Sequence, residues 1–190
     1  MKIITTKQQN RTDLAKMFGK LGFKYGAEVG VKRGNFSEEL CIYINSLEKL
    51  YSVDPWNLVF EDPTSHKMGI GGQERTYRQA VRRLRRYPVC KIVRKTSLEA
   101  VRDIEYESLD FVYIDGSHTF DYVMTDIIEW SKRVRKGGIV SGNGYKPTMF
   151  EQVVFAVDTY VQAHKVGALN LVGPKQEDDD PLITWWFIKP

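Results

Sequence analysis

Tyr25-Gly26-Ala27-Glu28-Val29-Gly30-Val31-Lys32-Arg33-Gly34-Asn35-Phe36-Ser37 decides how the rest of the chain is read. A short buried strand ends at Gly30, a glycine-hinged turn runs through Gly34, and a helix opens near Asn35 or Phe36. Glycine at 30 and 34 lets the backbone approach a ligand where a side chain would collide. The new helix aims unpaired N–H groups at the same spot, which favours a carboxylate or phosphate there. The dinucleotide-binding pattern G-x-G-x-x-G is the first rival. It needs small residues where this register has Glu28 and Arg33, and an arginine does not permit close helix–strand packing. What remains is E-x-G-x-x-x-G, which by itself suits a ligand loop or an ordinary strand-to-helix connection equally.

Downstream, Lys49 to Trp56 is a second strand and its exit. Pro55 forces the chain out of the ladder just past Asp54. A carboxylate at the end of the second strand of a doubly wound sheet can accept both hydroxyls of a ribose. The plainer reading is an Asp-Pro turn. Residues 57–72 form an irregular loop ending in Met68-Gly69-Ile70-Gly71-Gly72, long enough to predict a lid over a site. Gln73 to Arg86 is a helix with Tyr77, Ala80, Val81 and Leu84 on one side. Arg75, Arg78, Arg82, Arg83, Arg85 and Arg86 make it strongly basic. A solvated helix face is the first reading; a nucleic-acid surface is the sharper one, but it lacks interleaved aromatics.

A third strand, Val89 to Val93, exits through Thr96-Ser97, with Ser97 capping a short helix. Leu109 to Ile114 has the β-branched and aromatic density of a central parallel strand and ends in Asp115-Gly116-Ser117-His118. A helix from Phe120 to Arg133 places Val123, Ile127, Trp130 and Val134 inward. Gly137-Gly138 turns into a fifth strand, Ile139 to Ser141, which exits through Gly142-Asn143-Gly144-Tyr145. Pro147 opens a helix with Val153, Val157 and Val161 on its apolar side. Leu169 to Val172 is a sixth strand. Glu177 to Asp180 is an acidic turn, and Leu182 to Lys189 is a last strand, too close for a crossover helix and therefore antiparallel to the sixth. Upstream, Thr12 or Asp13 caps a helix carrying Leu14, Met17 and Phe18 that stops between Gly19 and Gly22. The helix after the glycine turn carries Phe36, Leu40, Tyr43, Ile44 and Leu47. Residues 1–11 show no pattern.

The 190 residues, 42% hydrophobic and 12% aromatic, suit one domain, residues 1–190, with a sizeable core. The net charge of +4 is too mild to point to nucleic acid by itself. Cys41 and Cys90 make no disulfide framework and read as reduced thiols of a cytoplasmic protein. No stretch has the apolar length of a membrane span, and the first residues do not open a signal peptide.

The polar residues that stand out all fall at strand exits: Glu28 and Gly30, Asp54, Thr96 and Ser97, Asp115 to His118, and Asn143. In an open α/β sheet these exits converge on one rim, where ligands bind. The stretches AEVGVKRGNFSEEL, YSVDPW, DFVYIDGSHTFDYVMTDIIEW and RKGGIVSGNGY resemble class I S-adenosylmethionine-dependent methyltransferases. They are most similar to the small bacterial and phage group related to sugar- and antibiotic-tailoring O-methyltransferases. The resemblance implies an α/β, Rossmann-like fold with a seven-stranded, mostly parallel sheet of order 3-2-1-4-5-7-6, the last strand antiparallel, and helices on both faces. It implies S-adenosylmethionine as cofactor and a hydroxyl of a small, sugar-like molecule as methyl acceptor. Glu28 and the backbone from Gly30 to Gly34 would then hold the methionine part, and Asp54 the ribose hydroxyls. Thr96 and Ser97 would lie by the adenine, with Phe36 or Trp56 packing near the cofactor and Asp115 beside it.

Methyl transfer to a hydroxyl needs a base in line with the sulfonium methyl. His118 is the best candidate, oriented by Asp115; the plainer reading is a helix-capping or Asp115-bound histidine. Asn143 completes the catalytic set. Metal-dependent relatives carry ligands where this chain has Asn143 and Gly144. Magnesium, the further cofactor the resemblance leaves open, would find few oxygen ligands, and no residue is assigned as a metal ligand. Two alternatives remain: a family member that keeps the cofactor pocket but has lost or redirected its catalysis, and a nucleic-acid methyltransferase docking through helix 73–86. The second lacks the proline–aromatic motifs of base-modifying relatives. The acceptor is expected to be a small molecule, with no membrane partner, nucleic acid disfavoured, and a homo-oligomer left open.

Overall fold

The computed structural model describes residues 2–5, 10–57, 69–173 and 183–190. The elements run β1 (Ile3–Thr5), α1 (Arg11–Lys20), β2 (Tyr25–Val29), α2 (Asn35–Tyr43), β3 (Lys49–Val53), α3 (Gly69–Leu84) and β4 (Cys90–Val93). There follow α4 (Ser97–Val101), β5 (Leu109–Ile114), α5 (Phe120–Ser131), β6 (Val134–Gly142), α6 (Glu151–Ala163), β7 (Leu169–Val172) and β8 (Thr184–Ile188). All eight strands form one open sheet of order β1-β7-β8-β6-β5-β2-β3-β4. β8 runs antiparallel to both β6 and β7, and the other pairings are parallel. With β1 set aside, the order is the expected 3-2-1-4-5-7-6. The additional strand lies in the stretch without a sequence pattern, where Ile3 pairs with Leu169 at the sheet edge.

β5 shows why the sheet is buried on both faces. Val112 and Ile114 join the larger apolar cluster, which includes Ile127 and Trp130 of α5 and Val157 and Val161 of α6. Phe111 and Tyr113 point the other way, onto Leu14 and Phe18 of α1 and Leu40 of α2. A strand with two apolar faces cannot sit at a surface, so it takes the centre and carries its exit residues to the middle of the rim.

Local boundaries differ from expectation where side-chain partners decide them. Asn10, not Thr12 or Asp13, caps α1 by accepting the Asp13 N–H, and the Thr12 hydroxyl instead donates to Glu39 at 2.7 Å. Thr96, not Ser97, caps α4 in a reciprocal box with Glu99. α2 stops at Tyr43, leaving Leu47 in the turn beyond it, still packed in the same cluster. Gly137 and Gly138 lie within β6, which starts at Val134 and matches β5 through a register shift. α6 starts at Glu151, after a turn containing Pro147. Gly69 to Gly72 belong to the first turn of α3. The centre of the expected lid, 58–68, and the acidic turn lie outside the described residues.

Candidate active site

Backbone hydrogen bonds draw the strand exits into line. The residue just past each of four strands donates its N–H to the last carbonyl of a neighbouring strand. Asp54 donates to Val93 at 3.1 Å, Gly30 to Val53 at 2.8 Å, Asp115 to Val29 at 2.7 Å and Asn143 to Ile114 at 2.9 Å. The row opens into a cavity of about 920 Å³, lined among others by Glu28, Gly30, Asp54, Ser97, Asp115 and Asn143. Phe36, Thr96 and His118 also line it. Gly30 is required for this alignment: its φ is +94°, and a Cβ there would lie 2.1 Å from the Asp115 carbonyl oxygen.

Glu28 is buried and accepts a hydrogen bond from the Ser37 hydroxyl. Ser37 Oγ lies 2.7 Å from Ser52 Oγ, and Ser52 Oγ 3.2 Å from Cys90 Sγ. Burial holds the Glu28 carboxyl well above the usual range despite the Ser37 bond.

The Asp54 carboxylate ties two loops together. One oxygen accepts the Lys32 N–H at 2.8 Å and the other the Trp56 N–H at 2.7 Å. Lys32 and Trp56 both have left-handed backbones, with φ +53° and +43°. Burial raises the Asp54 carboxyl, with these N–H groups pulling against it. Each oxygen keeps a second lone pair for a ligand hydroxyl.

Two expected residues stand behind the site. Trp56 is buried against Tyr77, with ring centroids 5.0 Å apart, and its indole N–H donates to the Lys32 carbonyl at 2.7 Å. Gly34 is the N-cap of α2, and its Cβ position faces Leu84 of α3 at 3.1 Å. Both brace the loop from the α3 side.

At the other end, Asp115 is held between opposed groups. Arg11 Nη1 lies 3.8 Å from its Oδ2, and His118 Nε2 lies 4.0 Å from its Oδ1. Burial pushes the carboxyl up to about 7, against Arg11, the Asn143 side-chain hydrogen bond and Lys32. Solvent reaching the 19% of the side chain left open screens part of that rise. The His118 ring stacks on Phe150 at 4.2 Å. Its Cδ2–Nε2 edge lies against Gly144, where a Cβ would come within 2.8 Å of Cδ2 and 3.1 Å of Nε2, and 3.6 Å from Phe150 Cδ2. The imidazole therefore occupies the space that a side chain at 144 would fill.

Three participants have no sequence signal strong enough to single them out. Arg11 lies in the featureless first stretch, yet it lines the cavity and stacks over Phe36 at 5.3 Å. Asp126 is a carboxyl within the apolar face of α5, and that interruption is its one visible sign. It lines the cavity, accepts from Ser97 Oγ at 2.5 Å, and is pushed up to about 7 by burial. Ser97 Oγ in turn accepts the Trp130 indole N–H at 2.8 Å. Ser37, within the opening stretch, supports Glu28 from below.

The donor set does not fit a hard cation. Among the described residues no group of three or more His, Cys, Asp or Glu side chains is placed to hold a metal ion. Gly144 offers no donor, and the space beside it is filled by His118. The expected helix 73–86 is observed as Gly69–Leu84, with Arg85 and Arg86 in the turn after it, and its arginines are partly committed within the molecule: Arg83 and Arg86 both pair with Glu38, and Arg78 pairs with Glu74. Among the described residues no helix is long and apolar enough to cross a membrane.

No curated protein sequence matches the chain. Among solved structures it is similar to an rRNA methylase from Streptococcus thermophilus, with a TM-score of 0.69 at 14% identity, covering 97% of this chain and 99% of that one. It is similar to SMU.1697c from Streptococcus mutans, solved in complex with SAH, with a TM-score of 0.69 at 13% identity, covering 96% and 99%. It is also similar to spermidine synthase from Thermotoga maritima, with a TM-score of 0.64 at 15% identity; 95% of this chain spans 59% of that one. At these identities the likeness is one of fold. A methyltransferase-domain family model matches residues 27–145, from the glycine turn to the exit of β6. With that match over most of its length and the strand order of the class I enzymes, the chain belongs to the methyltransferase-domain family.

Proposed function

We propose that this protein transfers a methyl group from S-adenosylmethionine to a hydroxyl of a small acceptor, without a metal ion. The carrying observation is the His118 ring stacked on Phe150, with its Cδ2–Nε2 edge against Gly144, beside Asp115. The cavity suits the cofactor: Asp54 has lone pairs for ribose hydroxyls, and Glu28 is a carboxyl for an amino group. Thr96 and Ser97 border one end, and Phe36 offers an apolar wall. When bound, S-adenosylmethionine supplies the methyl group on a sulfonium. Asp115 orients His118, so that one ring nitrogen faces the carboxylate while the other takes the acceptor's proton. Asn143 keeps Asp115 in place by its side-chain hydrogen bond. Arg11 lies across the same carboxylate.

Titration calorimetry with S-adenosylmethionine, S-adenosylhomocysteine, NAD and ATP tests the cofactor. NAD binding with no response to either sulfur compound would defeat the proposal. Labelled methyl transfer to a panel of hydroxylated small molecules and rRNA fragments, after exhaustive chelation, tests the chemistry. Transfer that persists after chelation and is lost in His118→Ala is the expected result. Transfer restored by magnesium and indifferent to His118 would show the metal-free mechanism to be wrong. Transfer confined to the RNA fragments would favour the arginine helix as a docking face, and cofactor binding with no transfer to anything would favour a pocket without its chemistry.

A further inference from the structure

Three cations border the cavity with donors to spare. Arg11 opens α1, Lys32 and Arg33 lie in the turn between β2 and α2, and all three line the cavity. Arg11 stands on a fixed support. Leu14 and Phe18 bury the same helix in the core, and the Thr12 hydroxyl ties its first turn to Glu39 of α2 at 2.7 Å. The guanidinium lies over the Phe36 ring at 5.3 Å, and its Nη1 stops 3.8 Å from Asp115 Oδ2, beyond hydrogen-bond reach. Among the described residues the guanidinium makes no hydrogen bond, and neither Lys32 nor Arg33 forms an ion pair. Arginines away from the cavity do find carboxylates: Arg83 and Arg86 meet Glu38, and Arg135 meets Asp110.

Arg11 and His118 approach the two oxygens of one carboxylate. Arg11 faces Asp115 Oδ2, and His118 Nε2 lies 4.0 Å from Oδ1. Both side chains line the cavity, so one small molecule lying over Asp115 spans them. The potential at this end is raised by two further features. Lys32 draws down both the Asp54 and the Asp115 carboxyls against the rise from burial. α2 opens at Gly34, which has no side chain to cap it, and its first residues, Asn35 and Phe36, line the cavity. That helix start adds positive potential of its own. Glu28 and Asp54 oppose it, but in the proposed function the cofactor's amino group and ribose hydroxyls occupy them.

We propose that the methyl acceptor is a hydroxy acid, whose carboxylate pairs with Arg11 while its hydroxyl meets His118. A guanidinium presents paired N–H groups in one plane, which match a planar carboxylate. Lys32 and Arg33 supply the longer-range attraction that brings an anion to the cavity. A phosphate dianion suits the place less well, because it would set a second negative charge beside Asp115. The inference rests on the proposed function, which names His118 as the base; it adds the charge of the acceptor and the residue that selects it.

The test titrates glucose, glucuronate and glucose 6-phosphate, which differ only at one carbon, into the full chain saturated with S-adenosylhomocysteine. The readouts are the His118 ring C–H signal and the half-saturating concentration of each sugar. Glucuronate should move the signal and half-saturate at a concentration about tenfold below that of glucose. That is the lower end of what one charged hydrogen bond gives, because the Arg11 side chain is 37% exposed. Arg11→Ala should bring the ratio close to one, and Arg11→Lys should restore part of it. Equal binding of glucose and glucuronate, no saturable binding of glucuronate, tighter binding of glucose 6-phosphate, or a ratio that survives Arg11→Ala would each overturn the proposal. Glucuronate binding that leaves the His118 signal unmoved would overturn the pairing of acid and hydroxyl in one molecule. The cofactor's own carboxylate is the competing partner for Arg11, and 5′-methylthioadenosine, which lacks it, separates the two. The ratio of S-adenosylhomocysteine to 5′-methylthioadenosine affinity should be the same in Arg11→Ala as in the parent. A lower ratio in the variant would assign Arg11 to the cofactor and overturn the acceptor site. Failure of the parent to bind S-adenosylhomocysteine would defeat the proposed cofactor separately, and the same titration of the empty protein would then decide the acid site.

Discussion

Gly144→Ala isolates the contact on which the proposed mechanism turns. Gly144 has φ +83°, and its Cβ position lies 2.8 Å from His118 Cδ2 and 3.1 Å from Nε2. The same Cβ would lie 3.6 Å from Phe150 Cδ2, and Phe150 is stacked on the imidazole at 4.2 Å, so the added methyl meets both members of the stacked pair. Two costs follow from this geometry. A left-handed backbone costs alanine about 1–2 kcal/mol, and losing the stacked pair costs about 0.5–1.5 kcal/mol. Together they predict a loss of about 1.5–3.5 kcal/mol, or roughly 3–14 °C in Tm for a chain of this size. In a His118→Ala background the clash is gone and the backbone cost of about 1–2 kcal/mol remains, so the two substitutions should couple.

Two assays read this without knowledge of the acceptor. Urea denaturation of the two single variants, the double variant and the parent closes the cycle. Ring C–H spectra follow His118 directly, since the chain has three histidines. In Gly144→Ala its signal should lose the shielding of the Phe150 ring. S-adenosylhomocysteine affinity should stay within about twofold, because Asp54 and Glu28 are held from other strands. Additive stability losses with an unmoved His118 signal would refute the placement of the ring and, with it, the base assignment.

Three further outcomes follow from other contacts. Asp54→Ala removes both bonds that hold the Lys32 and Trp56 turns, and should cost about 2–4 kcal/mol in urea denaturation and about ten- to hundredfold in S-adenosylhomocysteine affinity; unchanged affinity would remove Asp54 from the cofactor site. Asp126 is raised in the folded state to about 7 from an ordinary value of 3.8, so its stabilising contribution is complete below pH 4 and is lost as pH rises through 7. Asp126→Asn should therefore gain on the parent between pH 4 and pH 8, to a ceiling of about 4 kcal/mol, and a flat difference across that range would contradict it. Gly30→Ala combines a positive φ with overlap on the Asp115 carbonyl and should cost more than about 3 kcal/mol, read as lost soluble yield and a lowered denaturation midpoint.

The sequence exposed the sheet because β5 carries apolar residues on both faces and because glycine, aspartate or asparagine marks the strand exits. It did not expose β1, whose three residues have neither periodicity nor turn signals and acquire a partner through β7. Trp56 and Gly34 illustrate a different limit. Their residue types suit a cofactor site, but which way a loop residue faces depends on what packs behind it, and here that is α3. Gly144 looked like a missing ligand because spacing along one strand exit says nothing about a side chain arriving from another. The histidine that fills the space follows β5, whereas the glycine follows β6.

Asp115 joins the two halves of the proposed chemistry. Its N–H donates to the Val29 carbonyl at 2.7 Å and its own carbonyl fills the space a Cβ at Gly30 would need, so its backbone is fixed by the glycine turn. Its carboxyl meets Arg11, Asn143 and His118. Under the proposed mechanism, a displacement of the turn at Gly30 therefore moves the group that would orient the base as well as the loop that would receive the cofactor. The close approach of β2 to β5 at the glycine turn is required even when the cavity is empty.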